Sequence, residues 1–124
     1  MNAPAVKARG RPETRMSGRN IHEIEANADV DPSKAFESAF PAQAIDELLL
    51  EFDPKHSGPP VVTFGGDGGA KKEVHPLPQR GREGRFAMQM GGPEKWTSIR
   101  VTLSHRAHKP ARLVRVKLIA KGAT

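Results

Sequence analysis

The chain contains no cysteine, and this absence excludes disulfides, thiolate nucleophiles and zinc sites with cysteine ligands. Aromatic residues are scarce, and the few present all lie between Phe36 and Trp96, so the first 35 residues cannot build a core. No apolar run approaches the ~18 residues of a membrane-spanning helix. The basic N-terminus is not followed by the apolar stretch of a secretory signal. We therefore expect an intracellular (cytoplasmic) protein or one incorporated into a virion.

The charged residues that are present are segregated along the chain. Residues 1–20 carry a balance of +4, residues 21–56 a balance of −7 and residues 57–124 a balance of +9, which together give the net charge of +6. From Arg100 to the C-terminus there are basic residues and no acidic one. Such segregation indicates which segments can meet a polyanion and which can meet a basic surface.

The chain divides into two parts by composition. Residues 1–30 have no sustained hydrophobic period and too few apolar residues to offset the entropy of ordering, so they are predicted to form an extended basic/acidic arm. Residues 31–124 contain all the aromatic residues and are predicted to form one small β-rich domain. A domain of that size buries a marginal core unless a partner contributes surface.

Two short helices are predicted at the start of this domain. Asp31 and Pro32 are typical of an N-cap and a first helical residue, and they predict a helix near 32–40. A second helix, near 42–52, is predicted by apolar residues that recur at i, i+3, i+4 and i+7: Ile45, Leu48, Leu49 and Phe52. Leu50 falls outside this apolar stripe.

After Pro59 the hydrophobic period changes to two, which indicates strands. The alternating runs are Val61–Phe64, Phe86–Met90, Ile99–Leu103 and Val114–Leu118. Residues 65–83, which include Gly-Gly-Asp-Gly-Gly, are predicted to form a long flexible loop. The predicted fold class is therefore α+β: a small antiparallel β-sheet domain with one wet face, one or two short helices and a long extended N-terminal arm.

Basic residues occupy the polar positions of these strands and of the adjacent connection. They are Arg85, Arg100, Arg106, Lys109, Arg112, Arg115 and Lys117. If the strands are neighbours, these side chains form one basic face of the kind that contacts phosphates. The alternative is that they are solvated residues that block edge-to-edge pairing of strands. Base stacking is not expected, because Trp96 is the only suitable aromatic residue and lies near a turn.

Arg9-Gly10-Arg11-Pro12 resembles the core of an AT-hook. This resemblance implies an extended segment in the narrow minor groove of A·T-rich DNA, with Arg9 and Arg11 inserted and Arg15 near a flanking phosphate. The resemblance covers four residues and lacks the proline that commonly precedes such a core. The alternative is a basic arm that lies on any anionic or acidic surface.

No catalytic or metal site is predicted. His75, His105 and His108 lack a helix that would place two imidazoles on one face, and no acidic residue lies near the last two. Gly65–Gly69 lacks the Lys-Ser/Thr of a phosphate loop, and no Ser-His-acid set has a recognisable context. We therefore expect no enzyme activity and no cofactor.

The sequence predicts a non-enzymatic structural or accessory subunit of a large assembly, either a virion or a nucleoprotein particle. It would dock onto other protein subunits through the arm and the basic sheet face. Phosphate contacts to nucleic acid and formation of a homo-oligomer are compatible with the sequence, and no membrane partner is expected. The alternative is a DNA-binding accessory protein that uses Arg9–Pro12 together with the basic face.

Overall fold

The computed structural model describes residues 20–53, 59–105 and 109–120. These residues form nine β-strands: β1 (Asn20–Val30), β2 (Phe36–Gln43), β3 (Ile45–Phe52), β4 (Pro60–Gly65), β5 (Lys71–Val74), β6 (Leu77–Pro78), β7 (Arg85–Gln89), β8 (Trp96–Leu103) and β9 (Ala111–Ala120). A 3-10 turn at Asp67–Gly69 lies between β4 and β5. Over the same residues, no helix has the length and apolar character needed to cross a membrane.

The strands form two antiparallel sheets. The first sheet has the order β1-β9-β3-β7-β6, and the second has the order β2-β8-β4-β5. Strand β6 has only two residues, and without it the order is that of a jelly roll, in which eight strands form two four-stranded sheets through two Greek keys. The first strand therefore pairs with the last, so that Asn20 lies opposite Ala120.

Apolar side chains from both sheets pack together in one core. Leu48, Leu50 and Phe52 of β3 join Phe64 of β4 and Trp96 of β8 in this cluster. The Phe64 and Trp96 rings have centroids 6.1 Å apart. Within the described part of the chain, the one buried polar side chain is that of Thr102, whose hydroxyl donates a hydrogen bond to the Val61 carbonyl oxygen at 3.4 Å. The core thus lies between the sheets, and the charged residues lie outside it.

The α+β prediction is wrong, because 68% of the described residues are in strands and these residues contain no α-helix. The four predicted strand runs are confirmed within β4, β7, β8 and β9, except that Met90 follows the end of β7. They belong to two facing sheets rather than to one small sheet, since β8 and β4 lie in the second sheet and β7 and β9 in the first.

The predicted helix near 32–40 is replaced by a tight turn and strand β2. The Asp31 carboxylate accepts hydrogen bonds from the Ser33 backbone N–H at 2.7 Å and from the Ser33 hydroxyl at 3.0 Å. These hydrogen bonds lower the pKa of Asp31 below its ordinary value of 3.8. Asp31 and Lys34 also exchange both backbone hydrogen bonds, which closes a two-residue hairpin turn. The Asp-Pro chemistry that suits a helix N-cap equally suits the start of a β-turn.

The predicted helix near 42–52 is strand β3. Leu48, Leu50 and Phe52 are buried at alternating positions, whereas Leu49 points to the outer face. A shift in strand register between Ile45 and Glu47 brings Ile45 to the buried side as well. The helical spacing of the apolar residues arises from this irregularity, and Leu50, which did not fit the helical stripe, is a core residue.

Two further boundaries differ from the prediction. Residues 20–30 of the predicted arm form β1, which pairs with β9 on both sides of a register shift between Glu25 and Ala28. Residues 1–19 of the arm lie outside the described residues. The predicted loop 65–83 contains strands β5 and β6, paired with β4 and β7. Gly68 and Gly69 have φ values of 71° and 82° and form the turn before β5, a conformation that favours glycine.

Candidate functional site

Acidic and basic strands lie side by side in both sheets. On the outer face of the first sheet, acidic residues of β1 lie opposite basic residues of β9: Glu23 and Lys117, Glu25 and Arg115, and Asp29 and Arg112. Glu51 of β3 lies opposite Arg115 on one side and Arg85 of β7 on the other. In the second sheet, Glu37 of β2 lies opposite Arg100 of β8. Much of the opposite charge carried by the middle and C-terminal segments is therefore paired within the chain.

Arg115 is the centre of this pairing. Its Nε atom lies 2.9 Å from a Glu23 carboxylate oxygen and 3.3 Å from one of Glu25, and its Nη1 atom lies 3.0 Å from one of Glu51. Desolvation of the guanidinium lowers its pKa, but the hydrogen bond to Glu25 and the charges of Glu23 and Glu51 outweigh that effect and raise the pKa above its ordinary value. Arg115 is thus held in one orientation by carboxylates from two neighbouring strands.

The basic residues predicted from the sequence do not form one face. Arg100 lies on the second sheet, where its Nε atom is 3.0 Å from a Glu37 carboxylate oxygen. Arg112 lies on β9, 3.8 Å from an Asp29 carboxylate oxygen, and Lys109 is exposed just before that strand. The structure brings together only Arg85, Arg115 and Lys117. The remaining candidates fall outside the described residues: Arg9, Arg11, Arg15 and Arg106.

These three residues line a cleft on the outer face of the first sheet. The cleft has a volume of about 210 Å³ and lies beside the β6–β7 hairpin. Its walls are Leu49, Leu50, Glu51, Gln79, Arg82, Arg85, Arg115 and Lys117. Four cationic side chains and one carboxylate therefore surround it, over an apolar base from β3.

Arg82 is a cleft residue that the sequence analysis missed. It lies in the β6–β7 hairpin, where its backbone N–H donates to the Gln79 carbonyl oxygen at 3.1 Å and its carbonyl oxygen accepts from Arg85 N–H at 3.2 Å. Gly81 and Gly84 have positive φ values in the same hairpin. The Gly-Arg-Glu-Gly pattern signals a turn. The position of the Arg82 side chain over the first sheet could not be read from this pattern, because it depends on the pairing of β6 with β7.

The cations of the cleft differ in how far they are already neutralised. Arg85 Nη2 is 3.8 Å from a Glu51 carboxylate oxygen, which is beyond hydrogen-bonding distance. Neither Arg82 nor Lys117 forms an ion pair with any residue in the described ranges. Lys117 lies opposite Glu23 in the strand register, but Glu23 is bound to Arg115. Three cationic groups therefore retain donors that a ligand can use.

A second hollow, of about 400 Å³, lies on another side of the same hairpin. Its walls are formed by Pro59, Pro78, Gln79, Gly81, Arg82, Glu83, Gly84 and Phe86. Arg82 and Glu83 carry opposite charges, so these walls have no net charge to select an ion. The smaller cleft is the better candidate for a binding site.

The histidines and the glycine-rich segment do not form a reactive site in the described part of the chain. His75 Nε2 lies 3.0 Å from a Glu73 carboxylate oxygen, and both side chains are exposed. No group of three His, Asp or Glu side chains is suitably placed to hold a metal ion among the residues described. His108 lies outside them. The Gly65–Gly69 segment is the end of β4 and the turn that leads to β5.

Comparisons with protein-family models, with curated proteins and with solved structures find no match to this chain. The features of the chain that bear on its function are the jelly-roll core, the paired outer faces and the cationic cleft.

Proposed function

We propose that this protein is a non-enzymatic structural or accessory subunit of a macromolecular assembly, either a virion or a nucleoprotein particle. The observation that carries the proposal is the arrangement of the jelly roll, whose described interior is packed with apolar side chains. Titratable residues lie on the outside, so partners meet the outer faces and edges of the sandwich. The jelly roll also occurs in capsid and lectin domains, which is an analogy of fold and adds support only at that level.

The basic N-terminal sequence supplies a second contact. Residues 1–19 carry five Lys or Arg and one Glu. They precede β1, which lies at the edge of the first sheet beside β9. A segment of about nineteen residues can span on the order of 60 Å when extended, which exceeds the roughly 13 Å radius of gyration of a domain of this size. Such a tether engages a neighbouring subunit while the domain sits elsewhere, and it raises the effective concentration of the second contact.

The outer face of the first sheet is not uniformly basic, and its charge pattern affects which partners can dock there. Carboxylates of β1 and β3 flank the arginines of β9, so the face presents alternating charges to a partner. Alternating charges favour a partner whose own charges match in register, because like charges brought opposite each other are repulsive. This arrangement supports docking onto protein subunits at the charge-paired part of the face, outside the cationic cleft.

The test compares the full chain with a variant that lacks residues 2–19. Because β1 begins at Asn20, the deletion leaves the described strands intact, and its thermal unfolding should match that of the full chain. In sedimentation of extracts from the cells or virions that contain the protein, the full chain should travel with a large particle and the variant should remain near monomer mass. A matched control replaces the exposed Lys71 and Lys72 with Gln and should still travel with the particle. A full chain that sediments only as a free monomer or small oligomer contradicts the proposal.

A DNA-binding accessory protein remains the second candidate, and the cationic cleft is the observation that favours it. In that case the full chain should bind duplex DNA and prefer A·T-rich sequence, and the preference should vanish when Arg9 and Arg11 are changed to Ala. Binding to A·T-rich and G·C-rich duplexes can be compared by fluorescence anisotropy at several salt concentrations. Loss of particle association on deletion of 2–19, without any DNA preference, supports the assembly role instead.

A further inference from the structure

We infer that the cleft beside the β6–β7 hairpin binds a single phosphate group carried by a nucleotide or a nucleic-acid strand. The cleft is lined by Arg82, Arg85, Arg115 and Lys117, with Glu51 as the one opposing charge. This inference does not rest on the assembly role. A subunit can join a particle without binding phosphate, and a protein that joins no particle can still bind it.

The charge around the cleft selects an anion. Four cations against one carboxylate leave its walls at a net charge of +3. Glu23 and Glu25 lie on the far side of Arg115 and offset that residue, which leaves Arg82, Arg85 and Lys117 to act on a ligand. Guanidinium groups present paired donors that match phosphate oxygens, and an ammonium group adds a compact point charge. A phosphate fits this donor set because it offers several oxygens to three cations at once.

The size of the cleft limits the part of the ligand that it holds. Pockets that enclose a whole drug-sized ligand measure roughly 300–1,000 Å³, which is more than this cleft offers. A phosphate group has five non-hydrogen atoms and needs a few times the roughly 30 Å³ of one water molecule. About 210 Å³ therefore accommodates a phosphate and part of the group attached to it. The rest of the ligand must lie outside, as a nucleoside or a continuing strand would.

The neighbouring side chains set the geometry of the site. Arg115 is fixed by three carboxylates and acts as a positioning residue that forms one wall. Glu51 bridges Arg115 and the more distant Arg85, so a bound phosphate competes with Glu51 for the Arg85 donors. Leu49, which points to the outer face, supplies an apolar surface beside the cations for the carbon-bound side of a phosphate ester, while Leu50 borders the cleft from the core side. Removing the charge of Glu51 should therefore strengthen binding, and removing Arg82 and Lys117 should weaken it.

The experiment uses the full chain and follows its backbone and arginine Nε–H signals by NMR during titration. Three probes are added separately: inorganic phosphate, adenosine monophosphate and an octathymidylate. We expect saturable shifts at Arg82 and Arg85 with all three probes. Tighter binding of the monophosphate than of the oligonucleotide would assign the site to a free nucleotide, and the reverse order would assign it to a strand. The inference is overturned if none of the three probes produces saturable shifts at Arg82 and Arg85.

Substitutions locate the binding. In the double variant Arg82→Gln/Lys117→Gln the dissociation constant for the tightest probe should rise at least about tenfold, because two charge-assisted contacts are lost. The control Lys71→Gln/Arg100→Gln removes the same charge from the second sheet and should change the constant less than about twofold. Glu51→Gln should lower the constant. Thermal unfolding of each variant confirms that it is folded, and equal weakening in the control and the cleft variant contradicts a specific site.

Discussion

Truncation of two adjacent leucines in β3 distinguishes the strand from the helix that the sequence suggested. In the strand, Leu50 is 2% exposed and lies opposite Phe86 on one side and Val116 on the other. Leu49 points to the outer face and lines the cleft. A helix over the same residues would bury Leu49 and leave Leu50 outside the stripe. The two assignments therefore predict opposite results for one pair of substitutions.

The expected magnitudes differ enough to be measured. Leu50→Ala removes buried methyl groups and leaves a cavity between the sheets, which should lower the free energy of unfolding by about 2–5 kcal/mol. Leu49→Ala removes side-chain surface that is already partly in water and should cost under about 1 kcal/mol. For a domain of 60–100 residues, each kcal/mol corresponds to a shift of roughly 4–8 °C in Tm. The Tm of the Leu50→Ala variant should therefore be at least about 8 °C lower than that of the unsubstituted protein.

Urea unfolding provides the assay, with the fluorescence of Trp96 as the probe. Trp96 is the only tryptophan and is 4% exposed, so its emission reports the opening of the core. The m-value should stay the same in both variants, since the surface exposed on unfolding is nearly unchanged. A cost of 2 kcal/mol or more for Leu49→Ala, with under about 1 kcal/mol for Leu50→Ala, would refute the strand assignment.

Three further results should follow from the described contacts. Arg115→Gln should lower the urea midpoint more than Arg100→Gln does, because it releases three carboxylates instead of one, and the difference should narrow in high salt. The lowered pKa of Asp31 means that its carboxylate stabilises the fold above pH 3.8 and loses this effect as the pH falls through the lower folded value. The difference in free energy of unfolding between the unsubstituted protein and Asp31→Asn should therefore decrease as the pH is lowered. A carbon-detected titration of the Asp31 carboxyl group should give a pKa below 3.8. Gly65→Ala would place a methyl group 2.6 Å from the Ser98 hydroxyl oxygen and force that side chain to rotate, so it should destabilise by about 0.5–1.5 kcal/mol, and Ser98→Ala in the same chain should recover most of that loss in thermal unfolding.

Local sequence patterns predicted the regular strands but not the residues that bend or shift them. The alternation in β7, β8 and β9 is regular enough to indicate strands, and the structure confirms all three. In β3 a register irregularity near Ile45 imitates a helical spacing. At Asp31 the capping chemistry of a helix and of a β-turn is the same. In both places the competing structures share their local signals, and tertiary packing decides between them.

The candidate site was predicted in part, and the missing part depends on long-range pairing. Arg85, Arg115 and Lys117 were singled out by their polar positions on strands, and they do line one cleft. Arg82 joins them only because β6 folds back onto β7. The hydrogen bond from Arg115 to Glu25 spans 90 positions of the chain, a separation that no local pattern reveals. The sequence did contain one signal for this pairing, which is the opposite net charge of successive segments. In the structure, the acidic segment of the chain pairs with the basic strand β9 of the same chain.

The central claim is that acidic strands flank the basic strand β9 on both sides. Nuclear Overhauser effects between β9 and its two neighbouring strands test this claim most directly. The account predicts contacts from Val116 to both Ile24 and Leu50, and from Arg115 to both Glu25 and Glu51. Residues 20–30 should also exchange their paired amide hydrogens slowly, as expected for a strand in a sheet. Helical chemical shifts over 42–52, with no contacts between 20–30 and 111–120, would contradict the account.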